Sequence, residues 1–314
     1  MDPVTHALVG LGVGALSGQA LSPYNPVYCA AVLGALAPDL DVLAMLRGRV
    51  SFMRQHRGAS HSLAGIMLIS LAVSLIIYID FAVSPWLYLP WALAGACSHV
   101  TLDCLNSYGT QLWWPFSRKR IAGNLLMFMD PLLFSFFLPV IFCRREPQTA
   151  ALAALLTTAC YLALRGRMRS QANRFLQAEY NIKQEKGMLI VLPALHGLAS
   201  WDFRIEGSQR ILLGTLNLLR HKISNSITLE RQAHTELVEK ALQSGAGRFF
   251  RQLTAHYHFT HWEEKGRLFV RLLDLRFQKQ RDFFYRLTFV FNEQLNLEEA
   301  SFHTLQETIP LEPR

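Results

Sequence analysis

Apolar residues fall in long, nearly charge-free runs as far as Arg165 and in short alternating runs after it. The first pattern predicts helices over about 4–21, 27–46, 61–79, 86–106, 127–143 and 149–165. The first and fifth are short for a full bilayer crossing, which tilt, local thinning or burial inside a bundle would accommodate. The second pattern predicts strands over Gly187–Pro193, over Ser200–Leu218 with a turn at Glu206-Gly-Ser-Gln209, and over His256–Trp262, Arg267–Arg276 and Phe283–Asn292. A helix is expected over about 229–244, and Glu263-Glu-Lys-Gly266 and Gln278-Lys-Gln-Arg281 read as hairpin loops. The fold class is thus mainly α. A polytopic helical membrane bundle of about six helices (1–165) leads through a linker or surface helix (166–186) into a small α+β domain (187–314). Gly10, Gly14 and Gly18 place a small-residue groove along the first helix, which suits close helix packing.

Composition agrees with this division. Of the 314 residues, 51% are hydrophobic and 17% charged, with a mean hydropathy of +0.18, on the membrane side of the soluble average. The net charge of +8 comes without zinc-finger spacing, an RNP-like motif or a long Lys/Arg block, so direct nucleic-acid binding is not expected. The five cysteines form no CxxC pair, which argues against a disulfide framework or a thiolate zinc site. Met-Asp-Pro opens the chain with no basic stretch, so the first apolar run reads as a retained helix.

The loop charges orient the bundle. Arg47, Arg49, Arg54 and Arg57 follow the second apolar run, Arg118, Lys119 and Arg120 the fourth, and Arg165, Arg167, Arg169 and Arg174 the sixth. The connections near 22–26 and 80–85 carry no Lys or Arg; only Arg144 and Arg145 dissent. The positive-inside rule then expects both termini and the C-terminal domain on the cytoplasmic side of a multi-pass protein of the bacterial inner membrane.

Ionisable side chains inside such a bundle are costly, so each needs an account. His6, Asp39, Asp41, His56, His61, His99, Asp103 and Asp130 all fall at helix ends that this orientation puts near the cytoplasmic face. His99 and Asp103 are spaced i, i+4, which sets imidazole and carboxylate on one helix face, with Asn106 nearly in line. The pair could satisfy each other or hold a metal; neutral imidazole with carboxylate suits zinc, manganese or iron. In Ala37-Pro-Asp-Leu-Asp41 the proline can re-aim Asp39 inward, while Asp41 can simply mark the helix end. His61 leads straight into an apolar span for which Ser60 reads as an N-cap, and Arg57 offers positive charge to a phosphate. Asp130 reads either as a member of the site or as a helix N-cap before Pro131, and His6 as a ligand or an interfacial histidine. In the C-terminal domain His256, His258 and His261 have no accompanying carboxylate motif, so a partly exposed strand is the default there.

Met1-Asp-Pro-Val-Thr-His6, Gly34-Ala-Leu-Ala-Pro-Asp-Leu-Asp41, His56-Arg-Gly-Ala-Ser-His-Ser62 and His99-x-x-x-Asp103-x-x-Asn-Ser-Tyr-Gly-Thr110 resemble one family, segment by segment and in order. It is the YdjM-like family of inner-membrane-associated, LexA-binding proteins described as metal-dependent hydrolases. Leu112-Trp-Trp-Pro-Phe-Ser117 also resembles it, and the resemblance covers about residues 1–165. It implies a membrane-bound metal-dependent hydrolase. The His-x-x-x-Asp spacing, with further histidines and an aspartate from other helices, is also similar to zinc-dependent bacterial phospholipase C. That likeness implies a helical bundle with more than one zinc and phosphodiester hydrolysis, although the present chain differs in being embedded in the membrane.

The expected function is therefore hydrolysis of a phosphoester or lipid-linked ester, reached from the membrane lipid, at one or more divalent ions, zinc first and manganese or iron next. His6, Asp39, His61, His99 and Asp103 lead the ligand set, with His56 beside them. Asp41 or Asp130 could accept a proton or orient a ligand, and Arg57 could clamp a phosphate. The rival reading is a non-catalytic membrane regulator that recruits a LexA-type partner. A coupled transporter is disfavoured, because few ionisable residues lie towards the opposite face.

Overall fold

The computed structural model describes all residues except 83, 144, 183–186, 196, 255, 277, 280, 281, 313 and 314. Arg144 and part of the Gln278–Arg281 turn therefore lie outside the described residues. The chain divides into two compact units, Met1–Ser170 and Gln171–Arg314.

The first unit is helical. Asp2 caps α1 (Pro3–Ala15) by accepting from the Thr5 amide at 2.9 Å, and Asn25 caps α2 (Pro26–Leu36) through the Val27 amide at 3.0 Å. Each has proline at its first position, where no intrahelical amide donor is needed. At Ala37-Pro38 the α-helix gives way to a 3-10 helix, Ala37–Arg47, which carries Asp39 and Asp41. A short α3 (Arg49–Gln55) follows, and then a single 3-10 turn, Ala59–His61. The cap of α4 (Leu63–Phe81) is Ser62, which accepts from the Gly65 amide at 3.0 Å. Ser60, expected in that role, instead points its hydroxyl at Asp41 and His61. The remaining helices are α5 (Pro85–Leu105), α6 (Pro131–Phe137), α7 (Pro139–Phe142) and α8 (Pro147–Glu179).

Three segments are long and apolar enough to cross a membrane: Pro26–Arg47, Leu63–Phe81 and Pro147–Glu179. The sequence predicted about six. The helices at Pro3–Ala15 and Pro131–Phe142 are apolar but shorter. The 21-residue α5 is interrupted by Pro90, Ser98, His99 and Asp103, so its chemistry-bearing positions dilute its apolar character. On α4, Leu68 and Ile79 are 69% and 76% exposed, an outer face that water would not favour.

Helix α5 lies against α2 at backbone distance. A Cβ at Gly34 would collide with the Ala92 carbonyl, and one at Gly95 with the Ala31 carbonyl. Gly10 and Gly14 likewise let α1 approach Ala35 and Tyr28, whereas Gly18 lies beyond the helix at φ 72°. These contacts seat the ends of α1, α2 and α5 beside one another.

The second unit holds two antiparallel sheets. The first is the meander β1 (Met188–Pro193), β2 (Ser200–Glu206), β3 (Arg210–Asn217), β4 (Lys222–Glu230). After α9 (Glu236–Gln243) and α10 (Gly245–Leu253) come β5 (Tyr257–Glu264), β6 (Arg267–Asp274), the two-residue pair β7 (Gln278–Lys279) and β8 (Asp282–Phe283), β9 (Arg286–Phe291), β10 (Leu297–His303) and β11 (Thr308–Leu311). The second sheet runs β11-β10-β9-β6-β5. Lys265 and Gly266, both at positive φ, make the two-residue turn between β5 and β6. Ile211 and Leu213 of the first sheet pack with Leu273 and Phe283. The helix expected from about 229 begins only at Glu236, because Lys222–Glu230 pairs with β3. Residues 166–179 are helical, as the continuation of α8.

Candidate metal centre

Four carboxylate and imidazole groups from three separate stretches of chain converge at these helix ends. Asp39, His61, His99 and Asp103 each offer a ligand atom, all within 4.8 Å of one another. His61 Nε2 lies 3.1 Å from His99 Nε2, 3.4 Å from Asp39 Oδ1 and 3.5 Å from Asp103 Oδ2. His99 Nε2 lies 3.5 Å from Asp39 Oδ1 and 3.7 Å from Asp103 Oδ2. A tetrahedron of ligands at zinc distances of about 2.0–2.1 Å has edges of about 3.3–3.4 Å. The five separations bracket that value, and each is longer than a good hydrogen bond to a charged partner except the imidazole–imidazole one.

The tautomers point the same way. His99 Nδ1 lies 2.6 Å from the Ala35 carbonyl, which can only accept, so Nδ1 carries a proton and Nε2 is the nitrogen turned to the cluster. His61 Nδ1 lies 2.9 Å from Ser60 Oγ and 3.6 Å from Asp41 Oδ2, again leaving Nε2 facing inward. An imidazole held at one nitrogen by a carbonyl or hydroxyl, with the other directed at carboxylates, is the arrangement of a metal-bound histidine. The side chains of His61, His99 and Asp103 are fully buried and that of Asp39 is 21% exposed. The donor set of two imidazoles and two carboxylates without thiolate fits a divalent transition metal.

His6 lies against this cluster. Its ring stacks on His99 at 3.6 Å between centroids, and its Nε2 is 3.5 Å from Asp103 Oδ1. Neither ring nitrogen has a hydrogen-bond partner although the residue is fully buried. Asp103 thus turns one oxygen to His61 and His99 and the other to His6, where the Met1 amino group also reaches it.

Arg57 occupies a different place from the open phosphate clamp the sequence suggested. Its side chain is 2% exposed, its Nε lies 3.0 Å from Asp103 Oδ2, and its Nη1 donates to Asn106 Oδ1 at 3.1 Å. The guanidinium also lies over the Tyr108 ring. Arg57 therefore holds Asp103. Asp41 accepts from the Arg57 amide at 3.0 Å and from Ser60 Oγ at 3.2 Å, and pairs with His56 Nδ1 at 2.9 Å. It fastens the loop that carries His56 and His61.

Asp130 is not brought into the cluster. It caps α6 through the Leu133 amide at 3.3 Å and accepts from the Tyr161 hydroxyl at 2.8 Å, which is the helix-cap alternative of the sequence reading. In the second unit His256 Nδ1 accepts from Arg204 at 2.8 Å, and no metal-holding group among the described residues includes His256, His258 or His261. Sequence reasoning overlooked the Ala35 carbonyl and Arg120, whose Nη2 donates to the His56 carbonyl at 3.0 Å. Main-chain partners leave no residue-type signal.

Apolar membrane-length helices with a buried His/Asp cluster at their ends define a membrane protein with a possible metal site. The chain belongs to the YdjM inner membrane protein family, whose profile matches residues 1–172. Residues 236–309 match a second profile, the YfhP C-terminal alpha/beta plait domain. The chain is 25% identical over 290 residues to YfhP of Bacillus subtilis (strain 168), described as an uncharacterized protein, with 89% of this chain and 88% of the relative covered. No solved structure matches it.

Proposed function

We propose that this protein is a multi-pass, membrane-bound metal-dependent hydrolase acting on a phosphoester or lipid-linked ester at the cytoplasmic membrane face. One observation carries the reading: two imidazole nitrogens and two carboxylate oxygens at near-tetrahedral separations, with the outward nitrogen of each ring already tied to a carbonyl or hydroxyl. A bound zinc, or manganese or iron, would activate water near neutral pH and polarise the ester under attack. His61, His99, Asp39 and Asp103 would hold it. Arg57 and Asn106 would fix the Asp103 carboxylate, and Asp41 with Ser60 would fix His61. His6 would close the buried side. Arginine-rich loops beside the site favour the cytoplasmic orientation and an anionic substrate delivered along the membrane.

The test is metal analysis of purified wild type beside His99→Ala/Asp103→Ala, followed by a screen of phosphoester and lipid-ester hydrolysis. Wild type is expected to carry stoichiometric metal and the double variant none. Equal metal in both, or none in either, sinks the reading.

The four protein donors also favour a second reading, since zinc sites closed by four protein ligands are commonly structural. On that view the ion braces a membrane regulator whose C-terminal domain recruits a partner such as a LexA-type repressor. Cobalt substitution separates the two readings: added phosphate shifts the visible spectrum of an open site and leaves a closed one unchanged.

A further inference from the structure

The stretch Leu112-Trp-Trp-Pro-Phe-Ser117 and the three basic residues after it take no part in the metal cluster. They form a closed loop between α5 and α6. Thr110 and Ile121 exchange both main-chain hydrogen bonds across its base, at 3.1 and 2.9 Å. Within it the Trp114 and Ser117 amides donate to the Gln111 and Trp113 carbonyls. We propose that this loop is a membrane wedge: Trp113, Trp114 and Phe116 enter the lipid leaflet beside the start of α4, and Arg118 and Lys119 bind anionic headgroups there.

The loop is anchored to its neighbours as well as closed on itself. The Gln111 amide donates to the Arg57 carbonyl and the Leu63 amide to the Leu112 carbonyl, each at 3.0 Å, and Arg120 Nη2 holds the His56 carbonyl. With the backbone fixed, the aromatic side chains are presented outward: Phe116 is 93% exposed, Trp113 54% and Trp114 37%. Three large aromatic side chains gathered on one short, anchored loop need an apolar partner.

Position and charge select that partner. Leu63 is the first residue of Leu63–Phe81, a segment long and apolar enough to cross a membrane, so its bond to Leu112 sets the loop at the depth where a span ends. Tryptophan favours that depth, because its ring is apolar and its indole N–H is polar. Arg118 and Lys119 are exposed beside the aromatic side chains, and no Asp or Glu occurs from 104 to 129. A second copy of the chain seated on this face about a twofold axis would set these like charges against each other. A leaflet containing anionic lipid takes up the aromatic and the basic side chains together.

The two contributions are separable. Insertion depends on aromatic area and is indifferent to headgroup charge, whereas Arg118 and Lys119 each favour an anionic headgroup by a factor of about five. The membrane contact of the loop does not rest on the metal reading, so either can fail without the other.

Tryptophan fluorescence of the full-length protein in nanodiscs of phosphatidylcholine and phosphatidylglycerol, with bromine on the acyl chains of one lipid or the other, tests this. Trp113→Phe/Trp114→Phe keeps an aromatic ring at both positions, and the difference between its emission and that of wild type isolates the loop from the remaining tryptophans. Brominated lipid should quench that difference emission, and brominated phosphatidylglycerol should quench it more than brominated phosphatidylcholine at equal mole fraction. Arg118→Gln/Lys119→Gln should abolish the preference and keep the quenching. Phe116→Trp in the Trp113→Phe/Trp114→Phe background should restore a lipid-quenched emission, a second reading from the tip of the same loop. Difference emission reached by iodide from water and untouched by brominated lipid overturns the wedge. So does emission shielded from both quenchers, the result expected where a second copy or another protein covers the loop. Equal quenching by the two lipids in wild type, or a preference that survives Arg118→Gln/Lys119→Gln, overturns the headgroup assignment.

Discussion

Asp103 joins two structural roles that can be pulled apart experimentally. It offers oxygens to His6, His61 and His99, and it is the ion-pair partner of Arg57. Both members of that pair are buried, at 0% and 2% exposure. Removing one partner of a buried pair costs about 3–5 kcal/mol, because the other charge is left uncompensated. Asp103→Asn keeps an amide oxygen for the guanidinium, so the lower end, about 3 kcal/mol, is expected. By the scaling for domains of 150–250 residues, that lowers the melting temperature by about 6–12 °C. Arg57→Met in the Asp103→Asn background removes the stranded charge and should recover most of the loss, since apolar replacement of a buried pair is often neutral. Metal should follow a different rule. In both the single and the double variant a neutral amide replaces the anionic carboxylate that would ligate the metal, so neither should gain stability from added zinc. Wild type should gain about 2.7 kcal/mol when free zinc is 100 times the dissociation constant. The assay is thermal unfolding in detergent, with chelator and with zinc, alongside metal analysis. If the double variant recovers both its apo stability and the zinc-dependent shift, Asp103 only balances Arg57 and its role as a metal ligand is refuted.

Asp130→Ala should lose about 1 kcal/mol of helix capping and the Tyr161 hydrogen bond, yet keep wild-type metal content; loss of metal would mean that Asp130 acts at the site after all. Gly34→Ala drives a methyl into the Ala92 carbonyl, so it should cost about 1–3 kcal/mol and reduce metal content together, by separating Asp39 from His99. A stable Gly34→Ala protein with full metal would refute the dependence of the site on α2–α5 contact. Burial, and then the Arg204 guanidinium, push the His256 pKa below its ordinary value, so this ring contributes stability that is complete above about pH 6.5 and is lost as pH falls through the lowered value. Hydrogen exchange of β2 and β5 in the full-length protein should therefore quicken from pH 7 to pH 5, and His256→Gln should flatten that dependence; identical pH profiles in the two proteins would exclude it.

How far the sequence could be read depended on whether the information was local. The six apolar stretches all contain helix, because periodicity and apolar runs are local properties. Their length as membrane crossings was not legible. The Pro38 break turns the end of the second stretch into a 3-10 helix, and α5 gives up apolar character to the residues it presents. In the second unit the sequence Lys222–Glu230 carries too little apolar alternation to announce a strand, and only its pairing with β3 makes it one. At the site, the i, i+4 relation of His99 and Asp103 follows from helix geometry and was visible at once. The convergence of Asp39 on His61 and His99 required two glycines, Gly34 and Gly95, to bring α2 and α5 into backbone contact. Arg57 shows the limit most plainly. A basic residue beside two histidines reads as a substrate clamp, but burial of the Asp103 carboxylate created a stronger demand for its charge. Inside the bundle the buried Asp103 carboxylate claims the Arg57 guanidinium, so the positive charge that a reading of the sequence places at the surface is taken up within the protein.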